Sequence, residues 1–138
     1  MNEIRKAVYG SVSGLMAGML GGLVAGFLFG LVITIFSSIE SGELTKSVIV
    51  LFLIYPSVAG LIIGSLIGSI VGAIAPSPSY NLMKIVQIMG GFVTLFPSFL
   101  FLYLANSIIH GCILVFSTFI AGMVGGTVAG RFYRSIYS

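Results

Sequence analysis

The stretch from Gly10 to Gly30, "GSVSGLMAGMLGGLVAGFLFG", places a glycine at every fourth position: Gly10, Gly14, Gly18, Gly22, Gly26 and Gly30. Glycine costs a water-exposed helix roughly 1 kcal/mol per position relative to alanine, so six in register discourage a helix in water. In hydrocarbon the balance reverses. An unpaired backbone amide there costs several kcal/mol, and the chain closes its amides into a helix. Positions i and i+4 then share a face, and the row becomes a groove about 30 Å long. A partner backbone can enter that groove and gain dispersion contacts that lipid tails fit poorly. A second small row, Ser13, Ala17, Gly21 and Ala25, runs beside the first and widens the groove.

Composition points to the same medium. Of 138 residues, 58% are hydrophobic and 7% charged, with a mean hydropathy of +1.21. An ordinary soluble domain carries about a quarter of its residues as charges. Crossing a bilayer takes about 20 apolar residues, and the chain offers four such stretches, 8–36, 47–75, 85–105 and 111–130. They are separated by "SSIESGELTK" (Ser37–Lys46), "APSPSYNLMK" (Ala75–Lys84) and "NSIIHG" (Asn106–Gly111). The expected fold is an all-α membrane protein: a single domain over 1–138 of four transmembrane helices held by glycine-zipper packing. The first apolar stretch is far longer than the roughly 7–15 residues of a signal-peptide core, so it reads as an uncleaved signal-anchor helix. Arg5, Lys6, Lys84, Arg131 and Arg134 fall on one side of this topology and Lys46 alone on the other. Positive charge stays cytoplasmic, so we expect a multi-pass protein of the cell membrane with both termini inside.

The glycine device recurs. Span two carries Gly60, Gly64, Gly68 and Gly72, flanked by Ser65, Ser69 and Ala73; span four carries Gly122, Gly126 and Gly130, flanked by Ala121, Gly125 and Ala129. "AGMLGGLVAG" (Ala17–Gly26) and "AGMVGGTVAG" (Ala121–Gly130) are similar enough to suggest either duplication or convergence on one packing pattern. Rows of period four mate best in a right-handed crossing near −40°. Spans one, two and four are therefore expected to form the tight bundle. Span three, with only the Gly90-Gly91 pair and the stripe Phe92, Phe96, Phe99 and Tyr103, is expected to be peripheral. Pro56 and Pro97 predict bends in spans two and three.

Chemistry-bearing residues are scarce. The chain has no Asp, and no Glu, Lys, Arg or His lies deep in a span, whereas ion-coupled carriers place such groups at membrane depth. His110 reads as an interfacial or capping group, and Glu40 with Glu43 as a solvated loop. No G-x-S-x-G occurs, the histidine is single, and Cys112 is the only cysteine. We expect no enzyme activity, no cofactor and no metal site. The net charge of +3 and pI near 9.3 are read as an orientation signal, with no nucleic-acid partner.

One stretch, "GGFVTLFPSF" (Gly90–Phe99), resembles the Gly-Gly-Phe-Thr-Thr-Phe-Ser-Thr-Phe segment of the small four-helix fluoride channels. It keeps Gly90, Gly91, Phe92, Thr94, Phe96, Ser98 and Phe99 once a proline insertion is allowed. The resemblance implies a dual-topology dimer with Phe and Ser/Thr side chains lining anion pores. The chain departs from that pattern: no Arg follows the first glycine-rich helix, span two has no Asn, and the basic asymmetry opposes dual topology. Glycine-rich four-span chains are also similar to the inner-membrane translocase family, whose Arg and Asp signature is absent here. Neither resemblance assigns a role to a residue.

The expected function is that of a small polytopic membrane protein acting through helix–helix association. It would be an accessory or assembly subunit, or a homo-oligomer, with membrane lipid and other transmembrane helices as its partners. The alternative is an oligomeric channel for a small ion or neutral solute, with Ser57, Ser65, Ser69, Thr94, Ser98, Ser117 and Thr118 lining a polar path.

Overall fold

The computed structural model describes residues 2–41, 45–74, 80–100 and 107–137. Four helices account for nearly all of them: α1 (Glu3–Ser41), α2 (Lys46–Ile74), α3 (Tyr80–Leu100) and α4 (Ile108–Tyr137). Three, α1, α2 and α4, are long and apolar enough to cross a membrane. The apolar part of α3 is a shorter run, Lys84–Leu100, and positions 101–105 of the expected third span lie outside the described residues.

Helices α2 and α4 start where a polar side chain takes up a free amide. Ser107 accepts the amide of His110 at 3.2 Å, and Thr45 accepts that of Val48 at 3.4 Å; both are N-cap to N3 bonds. The 39 residues of α1 rise about 58 Å, well beyond a hydrocarbon core of about 30 Å. The helix runs past the apolar stretch at both ends, because charged residues such as Arg5 and Lys6 are good helix formers. Pro56 and Pro97 both sit inside helices.

The helices pack in the order α2–α1–α4–α3. Helix α1 lies against α2 on one side and α4 on the other, and α3 lies against α4 with only a marginal approach to α1. Among the described residues α2 packs on neither α3 nor α4. This differs from the expected bundle of spans one, two and four: α2 and α3 are the two outer members, and α4 is shared between α1 and α3. Neighbours run antiparallel, which brings Arg5, Lys6, Lys84, Arg131 and Arg134 to one end of the molecule.

Bulky side chains pack together at the opposite end. Phe29, Ile33 and Leu114 are buried there, with Val32, Phe36 and Phe52 against them. Nearer the basic end the buried positions are mostly small, Ser13, Ala17, Ala121 and Ala129, with Tyr133 the bulky exception. Large apolar residues cover the exterior, including Leu66 at 61% exposure and Phe96 at 80%. Such a surface is suited to hydrocarbon and unsuited to water.

Candidate functional site: the glycine seams and the cleft they frame

The glycines fall on three seams. On the α1–α2 seam, a Cβ added to Gly14 would overlap the Gly68 carbonyl oxygen; Gly18 stands in the same relation to Gly64, and Gly22 to Gly60. Gly26 meets the Pro56 carbonyl, Gly30 that of Phe52, and Gly72 that of Gly10. Each four-residue step forward on α1 is thus matched by a four-residue step back on α2. A row of period four drifts about 40° per step on a straight helix of 3.6 residues per turn. To stay in contact over the whole seam, the two helices must wind around each other with a right-handed sense.

The second seam uses the other small row of α1. Gly21 and Gly125 face each other, and their added Cβ atoms would lie 2.5 Å from the partner's carbonyl oxygen. Ala25 and Ala129 crowd the same level. The third seam joins α3 and α4. Gly90 and Gly122 each lie over the other's carbonyl, and a Cβ on Gly126 would sit 2.7 Å from the Gln87 Cα. At Gly91 the neighbour is the Phe119 ring, which also makes an edge-to-face contact with Phe92 at 5.7 Å between centroids. The two-residue Gly90-Gly91 pair forms no row, and only the facing row on α4 reveals its use.

Several of these approaches are mutual: Gly14 with Gly68, Gly18 with Gly64, Gly22 with Gly60, Gly21 with Gly125, and Gly90 with Gly122. Where the absent Cβ would fall on an oxygen, the hydrogen in its place points at that oxygen. Recurring Cα–H···O contacts of this kind are worth about 0.5–1 kcal/mol each.

The hydroxyls of the expected polar path bond mainly to carbonyls of their own helices. Ser57 donates to the Leu53 carbonyl at 2.6 Å, Ser65 to Ile62 at 2.7 Å, Ser98 to Leu95 at 2.6 Å and Thr118 to Val115 at 2.9 Å, all within their own helices. Ser69 pairs with Ser11 of α1 at 2.8 Å. Thr94 lies 2.7 Å from both the Gly91 carbonyl and the Thr118 carbonyl, and so ties α3 to α4. Ser117 is half-buried on α4. Ser57, Ser65 and Ser69 therefore stand on α2, which packs on neither α3 nor α4, the helices that carry the other four.

His110 lies 3.2 Å through Nδ1 from the Ser107 hydroxyl that caps α4. No group of three potential metal ligands occurs among the described residues. Cys112 is exposed, and Glu43 lies outside the described residues.

The seams leave one feature that the sequence does not announce. The two small rows of α1 are offset by one residue, which turns them about 100° apart around the axis; the same holds for the two rows of α4. Two such corners set the four helices near the corners of a square with one side open. On the open side, among the described residues, α2 and α3 face each other without packing. A cleft of about 390 Å³ lies there. Its walls are Ile63, Ile67 and Val71 of α2 and Val86, Met89 and Val93 of α3, above a floor of Gly21, Gly22, Gly125 and Gly126. Of the seven hydroxyl residues only Thr94 lines it.

Comparison with protein-family models, with curated proteins and with solved structures found no match to this chain.

Proposed function

We propose that this chain is a multi-pass protein of the cell membrane, with four crossings and both termini cytoplasmic. The seams act as glycine zippers, and the molecule works through helix association as an accessory or assembly subunit or a homo-oligomer. The observation that carries the reading is the unbroken four-residue step of backbone against backbone along α1 and α2, within an exterior of bulky aliphatic residues. Lipid tails cannot reproduce that fit, so it favours helix over lipid at each glycine. Helix α3 is the shortest, but its apolar run still rises about 25 Å and runs antiparallel to α4, which supports a fourth crossing. With five basic residues at one end, the positive-inside preference puts that end in the cytoplasm.

Because the glycine rows are engaged inside the chain, partners meet the outer faces, which carry Ile, Leu, Val and Phe. Hydroxyls bonded to their own helix carbonyls favour a packed scaffold over a conducting path. The test combines two measurements on protein isolated from its native membrane. Mass determination of the intact complex should give a fixed stoichiometry, with a second copy or with a larger membrane protein. Liposomes containing the purified chain should stay tight to small ions and neutral solutes. Selective leakage of one solute would replace the scaffold with a channel. A strictly monomeric chain in native membranes would remove the association role.

A further inference from the structure

We propose that the exterior is an apolar belt of two heights, tall on α1–α2 and short on α3–α4, and that the lipid leaflet at the basic end rises in a step to cover the taller side. The inference rests on the membrane reading above.

The seams fix the relative heights of the helices. Gly10 meets Gly72 and Gly30 meets Phe52, so to within about a turn Val8 stands level with Ile74, Val12 with Ile70 and Phe36 with Lys46. Gly21 meets Gly125, which puts Phe36 level with His110, Leu15 with Arg131 and Val12 with Arg134. Gly126 meets Gln87, so Lys84 on α3 is level with Ala129 on α4.

One end of the belt is flat. Lys46 and His110, both exposed, close the apolar exterior of α2 and α4 at the same level. The basic end is stepped. The exposed apolar face of α4 stops at Arg131 and that of α3 at Lys84. On α1 and α2 it continues past them as a collar, through Val12 and Val8 and through Ile70 and Ile74, with Val12 54% and Ile70 60% exposed. A second basic tier, the exposed Arg5 and Lys6, closes α1 only beyond Val8. From Phe36 to Val8 the rise is about 42 Å, whereas from His110 to Arg131 it is about 32 Å. The shorter figure matches a hydrocarbon core of about 30 Å, and the longer exceeds it by about 12 Å.

The backbones in contact along the α1–α4 seam cannot slide to even out the two heights. Tilting cannot do so either, because levelling the basic end tips the end at Lys46 and His110. Sinking the bundle would draw Lys84, Arg131 and Arg134 into hydrocarbon, where cations are costly. Raising it would lift the bulky aliphatic collar into water. Snorkelling of the basic side chains takes up part of the difference, and stretching of the lipid beside α1–α2 takes up the rest. The collar continues the exterior below it, and no charged residue interrupts either helix between Val8 and Phe36 or between Ser47 and Ile74. That continuity makes acyl chains its occupant.

The test places a nitroxide on single cysteines of the full chain, in a Cys112→Ser background, in vesicles of dioleoyl phosphatidylcholine and phosphatidylglycerol. Val12, Ile70 and Ser135 are exposed and stand at one level, and Val124 lies on the exterior nearer the middle of α4. Collision with oxygen, which concentrates in hydrocarbon, is compared with collision with a water-soluble nickel chelate. The oxygen-to-nickel ratio at Val12→Cys and Ile70→Cys should be at least about threefold that at Ser135→Cys. It should fall toward the Ser135→Cys value when dimyristoleoyl lipids of the same headgroups are used. Equal ratios at the three sites would overturn the proposal: if all are aqueous the collar stands in water, and if all are apolar the belt has one height. Low collision with both reagents at Val12 and Ile70 would mean that a second polypeptide covers the collar, and overturns it as well. An aqueous ratio at Val124→Cys would instead refute the membrane reading itself.

Discussion

Replacing Gly68 with alanine tests the α1–α2 seam through the sign of its effect. In an exposed helix the change adds roughly 1 kcal/mol of stability. Here the new Cβ would overlap the Gly14 carbonyl oxygen and stand 2.9 Å from the Gly14 carbonyl carbon and 3.0 Å from the Gly18 Cα. All three are backbone atoms and none can swing aside. Carbon atoms pack at about 3.5–4.0 Å, so the helices must part locally by roughly 1 Å, which forfeits up to half of each dispersion contact at that level. Overpacking of this kind costs about 1–3 kcal/mol, and loss of the mutual Gly14–Gly68 contacts adds about 1–2 kcal/mol. After crediting alanine's propensity, the variant should lose about 1–4 kcal/mol. Unfolding in mixed micelles by SDS titration, followed by circular dichroism, reads that difference. Leu66→Phe, on the exposed face of the same helix, is the matched control and should move stability by less than about 0.5 kcal/mol. Adding Gly14→Ala to Gly68→Ala should cost less than Gly14→Ala alone, because the seam has already opened. If Gly68→Ala is as stable as the parent or more so, the close approach does not exist.

Three further outcomes follow from the same geometry. Thr94→Val removes the hydroxyl between α3 and α4 at nearly constant volume and should cost about 0.6 kcal/mol, up to about 1.7 kcal/mol, in the same titration. Gly125→Leu places a bulky side chain against the Gly21 carbonyl and Ala25 and should destabilise by at least about 2 kcal/mol, with loss of α1–α4 cross-links. In a Cys112→Ser background, a cysteine at Ser107 should react with an impermeant maleimide applied outside intact cells. One at Ser135 should react only after lysis; the reverse pattern would invert the topology.

Much of the fold is legible in the sequence for a plain physical reason: hydrocarbon leaves the backbone no alternative to a helix, so apolar length alone draws α1, α2 and α4. The ends were less legible. Glu3, Arg5 and Lys6 mark where apolar character stops, but not where the helix does. Pairing was harder still. Gly14, Gly64 and Gly122 look alike in a string of letters, and nothing local says that the first meets α2 while the last meets α3. The use of Gly90 is invisible in its own helix because its partner row lies on α4. Ser65 and Ser98 looked like pore-lining residues, but a hydroxyl in a helix can return to the carbonyl three residues back, and each does so. The cleft belongs to no segment of sequence. It arises between two helices that do not pack on each other, from a one-residue offset between the small rows on α1 and α4.

The register of α1 against α2 is the central claim, and a cysteine pair measures it directly. The Ser11 and Ser69 hydroxyls are 2.8 Å apart, so Ser11→Cys with Ser69→Cys, in a Cys112→Ser background, should form an intramolecular disulfide under mild oxidation in the membrane. Ser11→Cys with Ser57→Cys, about 18 Å farther along α2, should not. Failure of the first pair to close within one chain, or equal closure of both pairs, would contradict the facing glycine rows.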